Sequence, residues 1–170
     1  MIEIIGAKGK INNVDDFLEK INIFAKENNV IIQTFDADLV FGKNHILSAV
    51  EHAVRAIERK TNTTNSLEKE ILLYASGERQ IKLAISKVGV KLKNEKIVFV
   101  FINNVKKNAS KYIIKNFLDM LSLVRDDNVI KGDEETLIRF GIKENEIKTV
   151  MKDKYADLIL EKVAMVDIIK

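Results

Sequence analysis

The sequence predicts an α/β protein, a single domain over residues 1–170 with a small central β-sheet, mixed or antiparallel, packed with several α-helices. Two short β-branched runs, at residues 2–5 and 30–35, predict strands. The run at residues 97–102 is apolar without alternation, which is typical of a central strand covered on both faces. Apolar residues recur at helical spacing through most of the remaining chain. The length suits one domain, since domains cluster at roughly 100 to 150 residues.

Helices are predicted on both sides of the second run. Residues 14–26 carry apolar side chains at helical spacing. Residues 44–60 are apolar around most of the helix circumference, so this helix must be buried against its neighbours. Its polar positions form one stripe, which consists of Ser48, His52, Arg55 and Arg59.

Capping residues predict where the next helices begin and end. Asn65 with Glu68 resembles a capping box that opens a helix, and Gly77 suits the position after its end. Ser76 is expected to cap the following helix, which Gly89 ends. Earlier in the chain, the segment from Gly6 to Gly9 is expected to be a turn.

The C-terminal third is predicted to be helical. Residues 110–123 form one helix, and Asp133 caps a short one that Gly141 ends. Residues 144–163 have helical spacing, with a break near Asp153 left open. The tail at residues 165–169 suits either a last helical turn or an edge strand.

The net charge of +3 is unevenly distributed along the chain. Between residues 79 and 115 there are ten basic residues and one acidic residue, which leaves 18 basic and 24 acidic residues elsewhere. Such asymmetry indicates a surface that binds a polyanion. An ordinary solvated face rich in lysine is the alternative. The basic residues are Arg79, Lys82, Lys87, Lys91, Lys93, Lys96, Lys106, Lys107, Lys111 and Lys115.

The sequence offers no catalytic or metal-binding set and predicts no cofactor. There is no cysteine, and the two histidines, His45 and His52, lie about 10 Å apart along one helix, too far to share an ion. No phosphate-binding loop or nucleophile elbow is present. The longest apolar run is far shorter than the roughly 20 residues of a membrane span, and a basic N-terminal leader is absent. We therefore expect a cytoplasmic, non-enzymatic protein with no membrane contact.

One segment favours an anion on physical grounds. Residues 76–80 join two predicted helices, so the unpaired N–H groups of a helix start lie beside Arg79. Lys82 falls in the first turn of that helix. The alternative is structural, with Arg79 paired to Glu78 or Glu70 and Gln80 bonded to a backbone group.

Three segments resemble a known family. They are Phe35-Asp-Ala-Asp-Leu-Val-Phe-Gly42, His45-Ile-Leu-Ser-Ala-Val-Glu-His-Ala53 and Glu70-Ile-Leu-Leu-Tyr-Ala-Ser-Gly-Glu-Arg-Gln-Ile81, the last followed by Ala84-Ile85 and Gly89. They are similar to the KEOPS subunit family that is called PRPK-binding protein in animals, in its archaeal form. The likeness covers nearly the whole chain and is less distinctive after Asp126.

The resemblance implies an accessory subunit of the complex that places threonylcarbamoyl on adenosine 37 of tRNA. In that family the subunit binds the kinase-fold ATPase subunit directly, supports its activity and contacts other KEOPS subunits indirectly. The resemblance also implies that the subunit captures tRNA through its single-stranded 3′ CCA end. Such binding would use stacking and phosphate contacts.

We therefore expect a non-catalytic subunit that binds a kinase-fold partner and tRNA. Two alternatives stay open: a pure protein-interaction subunit that docks through apolar residues of its C-terminal helices, and a small enzyme around His52 and Glu51. The candidate RNA contacts are Arg79, Gln80, Lys82, Arg59, Lys60 and Lys43, with His45 and Asn44 as further candidates.

Overall fold

A computed structural model of the chain describes residues 1–103 and 107–169, with the side chains of 107–109 left undescribed. Its internal contacts form two compact units, one of Met1–Ala37 with Val90–Val129 and one of Asp38–Gly89 with Ile130–Lys170. A single domain over residues 1–170 stays a prediction. The elements are β1 (Ile2–Lys8), α1 (Val14–Glu27), β2 (Ile31–Asp36), α2 (Gly42–Glu58), α3 (Leu67–Ser76), α4 (Ile81–Val88), β3 (Lys96–Ile102), α5 (Lys107–Met120), β4 (Val124–Arg125), α6 (Glu134–Phe140), α7 (Glu144–Ile147) and α8 (Tyr155–Ile169).

The first unit is built on an antiparallel sheet with the strand order β2-β3-β1-β4. Phe99 of β3 lies opposite Ile5 of β1 on one side and Thr34 of β2 on the other. The predicted α/β class, with a small antiparallel sheet and several helices, is confirmed. The two-residue strand β4 was not predicted, because so short a run carries no periodicity.

Strand β3 is central, as its unbroken apolar run predicts. Every residue from Ile97 to Phe101 is fully buried, so both faces of the strand are covered. On one face Phe99 and Phe101 each contact Phe117 of α5, with ring centroids 5.0 and 5.1 Å apart. Phe17 of α1 packs on Phe99 from the same side. Helices α1 and α5 therefore close this face of the sheet.

The second unit consists of helices packed around α3. Its residues 70–76 are all buried, although Glu70 and Ser76 are polar. Ala49, Val50 and Ala53 of α2 are fully buried as well. The prediction of a deeply buried helix at 44–60 is confirmed, with the observed helix shifted two residues towards the N-terminus.

Several predicted boundaries are wrong by a few residues. Gly6, Ala7 and Lys8 continue β1, and the turn falls at Gly9, whose φ is +156° and where a Cβ would lie 2.3 Å from the Leu123 side chain. Burial of Ala7 explains the error, because pairing with β3 holds this stretch in the sheet.

Two predicted caps are also corrected. Ser66, not Asn65, caps α3 by accepting from the N–H of Lys69. Ser76 is the last residue of α3 and bonds back to the carbonyl of Leu73, so it does not cap α4. Gln80 occupies that N-cap position.

The C-terminal helices follow the predicted caps, and the break that the sequence left open near Asp153 is present. Asp133 caps α6 and Gly141 ends it in the left-handed conformation, at a φ of +100°. The stretch predicted as helical over 144–163, with a break near Asp153 left open, is divided into α7 and α8, and α8 continues to Ile169 as a helix. Within residues 1–103 and 107–169, no helix is long and apolar enough to cross a membrane.

Candidate functional site

The structure divides the predicted RNA contacts between the two ends of α2. Lys43 and Asn44 lie in its first turn, whereas Arg59 and Lys60 follow its last turn, about 24 Å away at 1.5 Å per residue. The Nε2 atom of His45 hydrogen-bonds the carbonyl oxygen of Ala75 at 2.8 Å, so the start of α2 lies beside the end of α3. The predicted contacts on the elements that flank this bond, which we call the α4 end, are Lys43 and Asn44 at the start of α2 with Arg79, Gln80 and Lys82 at the start of α4.

The α4 end keeps the features of an anion site. Gln80, at the N-cap position, makes no side-chain bond to the backbone of α4, and the first turn holds no acidic residue. Glu78 pairs with Lys87 at 3.1 Å. Arg79 is exposed and forms no ion pair within the part of the chain that the structure describes. The backbone N–H groups of the helix start and the Arg79 guanidinium are thus both available to a ligand.

Glu70, the other proposed partner of Arg79, has a different role. Its carboxylate is fully buried and accepts hydrogen bonds from the N–H groups of Thr63 and Thr64 and from the Thr64 hydroxyl, at 2.8 to 3.2 Å. Glu70 therefore anchors the loop between α2 and α3.

His45 lies inside the second unit rather than on its surface. It is 1% exposed, its Nδ1 accepts from the N–H of Phe41 at 3.2 Å, and its ring packs edge-on against Phe140. Burial lowers its pKa to about 4, against the raising effect of the bond to Ala75, and Lys87 lowers it further. In this fold His45 positions α2 against α3 and offers no nitrogen to RNA.

Acidification is expected to destabilise the fold through His45. Well above pH 6.5 the His45 ring is neutral in the folded and the unfolded state, and its full contribution to the free energy of unfolding is present. As the pH falls from 6.5 towards 4, the unfolded state takes up the proton first, so the free energy of unfolding falls by up to about 3 kcal/mol. Urea unfolding at several pH values measures this. The matched variant His45→Gln is expected to show a smaller fall over this range, which comes from carboxyl groups such as Asp133 and Glu146, and an unchanged dependence contradicts the assignment.

His52, the centre of the enzymatic alternative, belongs to a structural cluster. Its Nδ1 lies 2.7 Å from a carboxylate oxygen of Asp167, whose other oxygen accepts the hydroxyl proton of Tyr74. Burial and this bond raise the pKa of Tyr74, which therefore remains a donor. The cluster joins α2, α3 and α8. Glu51 is exposed, and the described residues contain no group of three or more potential metal ligands.

Helix α8 presents an apolar face to solvent. Ile168 is 75% exposed and Met165 is 39% exposed, and exposed Ala164 lies one turn before Ile168 on the same side of the helix. We call these three residues the α8 face. Large exposed apolar side chains grouped on one helix mark a protein-interaction surface more often than isolated ones do.

Some of the ten basic residues between positions 79 and 115 lie outside the sites above. Lys87 forms an ion pair with Glu78, and its Nζ atom lies 4.0 Å from the centre of the Phe140 ring. In the first unit, Lys111 and Lys115 are exposed on α5 beside the exposed Tyr112. Lys106 and the side chain of Lys107 lie outside the described residues.

Comparison with known proteins gives the family. The model of the family described as "Kinase binding protein CGI-121" matches residues 9–167. This chain belongs to the CGI-121 family. The chain is also 29% identical over 140 residues to a protein of Methanocaldococcus jannaschii named "Regulatory protein Cgi121", with 81% of this chain and 84% of that protein covered. Membership of the CGI-121 family confirms the resemblance to a family of kinase-binding proteins. The similar protein of Methanocaldococcus jannaschii is archaeal, as the resemblance implied.

Proposed function

We propose that this CGI-121 protein is a non-catalytic regulatory subunit that docks on a kinase-fold ATPase and recruits tRNA to it. The coarser role rests on the kinase-binding family and on the relative named as regulatory. The finer role is that of the KEOPS accessory subunit, which supports threonylcarbamoylation of adenosine 37 in the cytoplasm and meets the other subunits indirectly.

The observation that carries the tRNA role is the unpaired Arg79 at the uncapped start of α4. A phosphate there accepts from backbone N–H groups and from the guanidinium, and Lys82 adds a second positive charge. Lys43, Asn44 and Gln80 extend the same contact. Arg59 and Lys60, at the far end of α2, are not part of it.

Bases of a single strand also need surface to stack on. Helix α4 exposes Leu83 and Ile85 by about half, three and five residues after its N-cap. Apolar side chains beside a phosphate site suit unpaired bases, such as those of a tRNA 3′ end, better than they suit a duplex.

The kinase-docking role is supported by the α8 face. The cores of protein interfaces are depleted of charged residues. The α8 face has this composition, so a protein partner could bury it. The same face supports the alternative of a pure protein-interaction subunit without RNA contact.

A tRNA-binding experiment distinguishes the tRNA-recruiting subunit from the pure protein-interaction subunit. We expect the purified chain to shift intact tRNA in a gel, and tRNA lacking its 3′ end much less. Arg79→Glu should weaken binding at least tenfold, because repulsion replaces attraction at the phosphate. A lost phosphate contact should also reduce the slope of log affinity against log salt by about 0.7 for a single strand.

Lys148→Glu is the control, because Lys148 is exposed in the same unit and only reaches Glu144 at 3.8 Å. It should bind tRNA as the wild type does. Equal tRNA affinity of wild type and Arg79→Glu at several salt concentrations would remove the α4 end as the RNA site and leave the basic residues of the first unit to be tested.

A further inference from the structure

A pocket lies at the end of the second unit where α2 finishes. It has a volume of about 430 Å³ and combines residues from α2, the loop after it and α8. We call it the α2 pocket; it is lined by Arg55, Ala56, Arg59, Thr61, Thr63 and Asp167. Nothing in the proposed docking or tRNA contacts uses this pocket.

Two guanidinium groups line one side of the α2 pocket. Arg55 and Arg59 are one helical turn apart, so their side chains leave the helix from the same face, roughly 6 Å apart. Both are exposed, and neither forms an ion pair with any residue among 1–103 and 107–169. Paired arginines of this kind bind phosphate oxygens through charge-assisted, often bidentate, hydrogen bonds.

The end of a helix ordinarily repels an anion, because its last carbonyl groups are unpaired. Here three of the last four carbonyl groups of α2 accept hydrogen bonds, and that of Arg55 accepts from the N–H of Arg59. The carbonyl of Ile57 accepts from the N–H of Lys60, and that of Ala56 accepts from the N–H of Thr61 at 2.8 Å. The repulsion that a phosphate would meet at the arginines is therefore reduced. The Thr61 hydroxyl also donates to the Ala56 carbonyl, and the Thr63 hydroxyl adds a polar group to the lining.

Asp167 adds a negatively charged hydrogen-bond acceptor to the lining of the α2 pocket. His52 and Tyr74 hold its carboxylate in place, and its side chain is still 46% exposed. An anionic acceptor opposite two cations disfavours a ligand that is only negative. The Asp167 carboxylate favours a ligand that carries hydrogen-bond donors, such as ribose hydroxyls or a base amino group, in addition to its phosphate.

We propose that the α2 pocket binds a nucleoside monophosphate. Arg55 and Arg59 hold the phosphate, and Asp167 accepts from the ribose or the base. The volume lies in the range of small-molecule sites, which is about 300 to 1,000 Å³. A triphosphate would place further negative charge near Asp167. A single nucleotide of an RNA strand presents the same chemistry as the free nucleotide, so the experiment must distinguish these two sources.

Isothermal titration calorimetry of the full chain tests the proposal with AMP, inorganic phosphate, adenosine and a short single-stranded RNA. AMP is expected to bind at least tenfold more tightly than phosphate or adenosine. Arg55→Gln and Arg59→Gln should each weaken AMP binding about tenfold or more, with the melting temperature unchanged. If the RNA binds more tightly than AMP and AMP competes with it, the nucleotide belongs to an RNA strand; if AMP binds more tightly, the ligand is the free nucleotide.

Lys20→Gln is the matched control, because Lys20 lines a pocket of about 410 Å³ in the first unit. It should leave AMP binding unchanged. The proposal fails if AMP does not bind at millimolar concentration, if phosphate binds equally well, or if Arg55→Gln has no effect. Arg79→Glu should retain AMP binding, so failure of the α2 pocket and failure of the tRNA contact are distinguishable.

Discussion

Val50→Asp is expected to unfold the second unit. Val50 is fully buried in α2, where the carboxylate would have neither water nor a cation to pair with. Burying an unpaired charge costs about 5 kcal/mol or more, which is comparable to the whole stability of a typical domain, about 5 to 15 kcal/mol. Ala53→Asp should act in the same way, since Ala53 is buried to the same extent.

Thermal melting followed by circular dichroism measures this. The control is Ile57→Asp, which places the same side chain on the same helix at a position that is 38% exposed. It should cost about 1 kcal/mol or less, including its unfavourable place near a helix C-terminus. A wild-type melting temperature for both Val50→Asp and Ala53→Asp would show that α2 is not the buried centre of the unit.

Ile168→Glu is expected to abolish docking of the kinase-fold partner. Ile168 is 75% exposed, so the change should leave the fold intact. In the complex, the glutamate would be buried against an apolar surface. Loss of a central apolar contact typically costs at least about 2 kcal/mol, and the buried charge adds to it, so affinity should fall at least about 30-fold.

Surface plasmon resonance with the purified kinase-fold ATPase measures the affinity, and the ATPase rate reports the loss of support. Ile23→Glu is the matched control, because Ile23 is 50% exposed on α1 in the first unit. It should bind as the wild type does, and so should Arg79→Glu. Full affinity of Ile168→Glu would place the docking surface elsewhere and would leave the α8 face without a role.

The local elements were predictable from the sequence because their causes are local. The unbroken apolar run of β3 predicted a strand buried on both faces, and the apolar circumference of α2 predicted a buried helix. Gly77, Gly141 and Asp133 marked helix ends because each acts within about four residues of its own position. The place of Arg79 beside a helix start was predicted on the same grounds, but whether Arg79 pairs with Glu78 or Glu70 was left open by the sequence.

Contacts between residues far apart in sequence were decided by the tertiary structure alone. His45 was a candidate RNA contact in the sequence, but packing against Ala75 and Phe140 buries it. Arg55 was visible in the sequence only as part of a polar stripe. It became part of a site because the loop held by Glu70 and the end of α8 close around the last turn of α2.

Asp167 shows the physical reason most clearly. Its partners Tyr74 and His52 lie 93 and 115 residues earlier in the chain, and no periodicity or capping rule spans such distances. Composition and spacing therefore determined strands β1 to β3, the approximate positions of the helices and the cationic character of this protein. Which charged side chains meet, which are buried and which face a pocket was decided only when α2, α3 and α8 packed together.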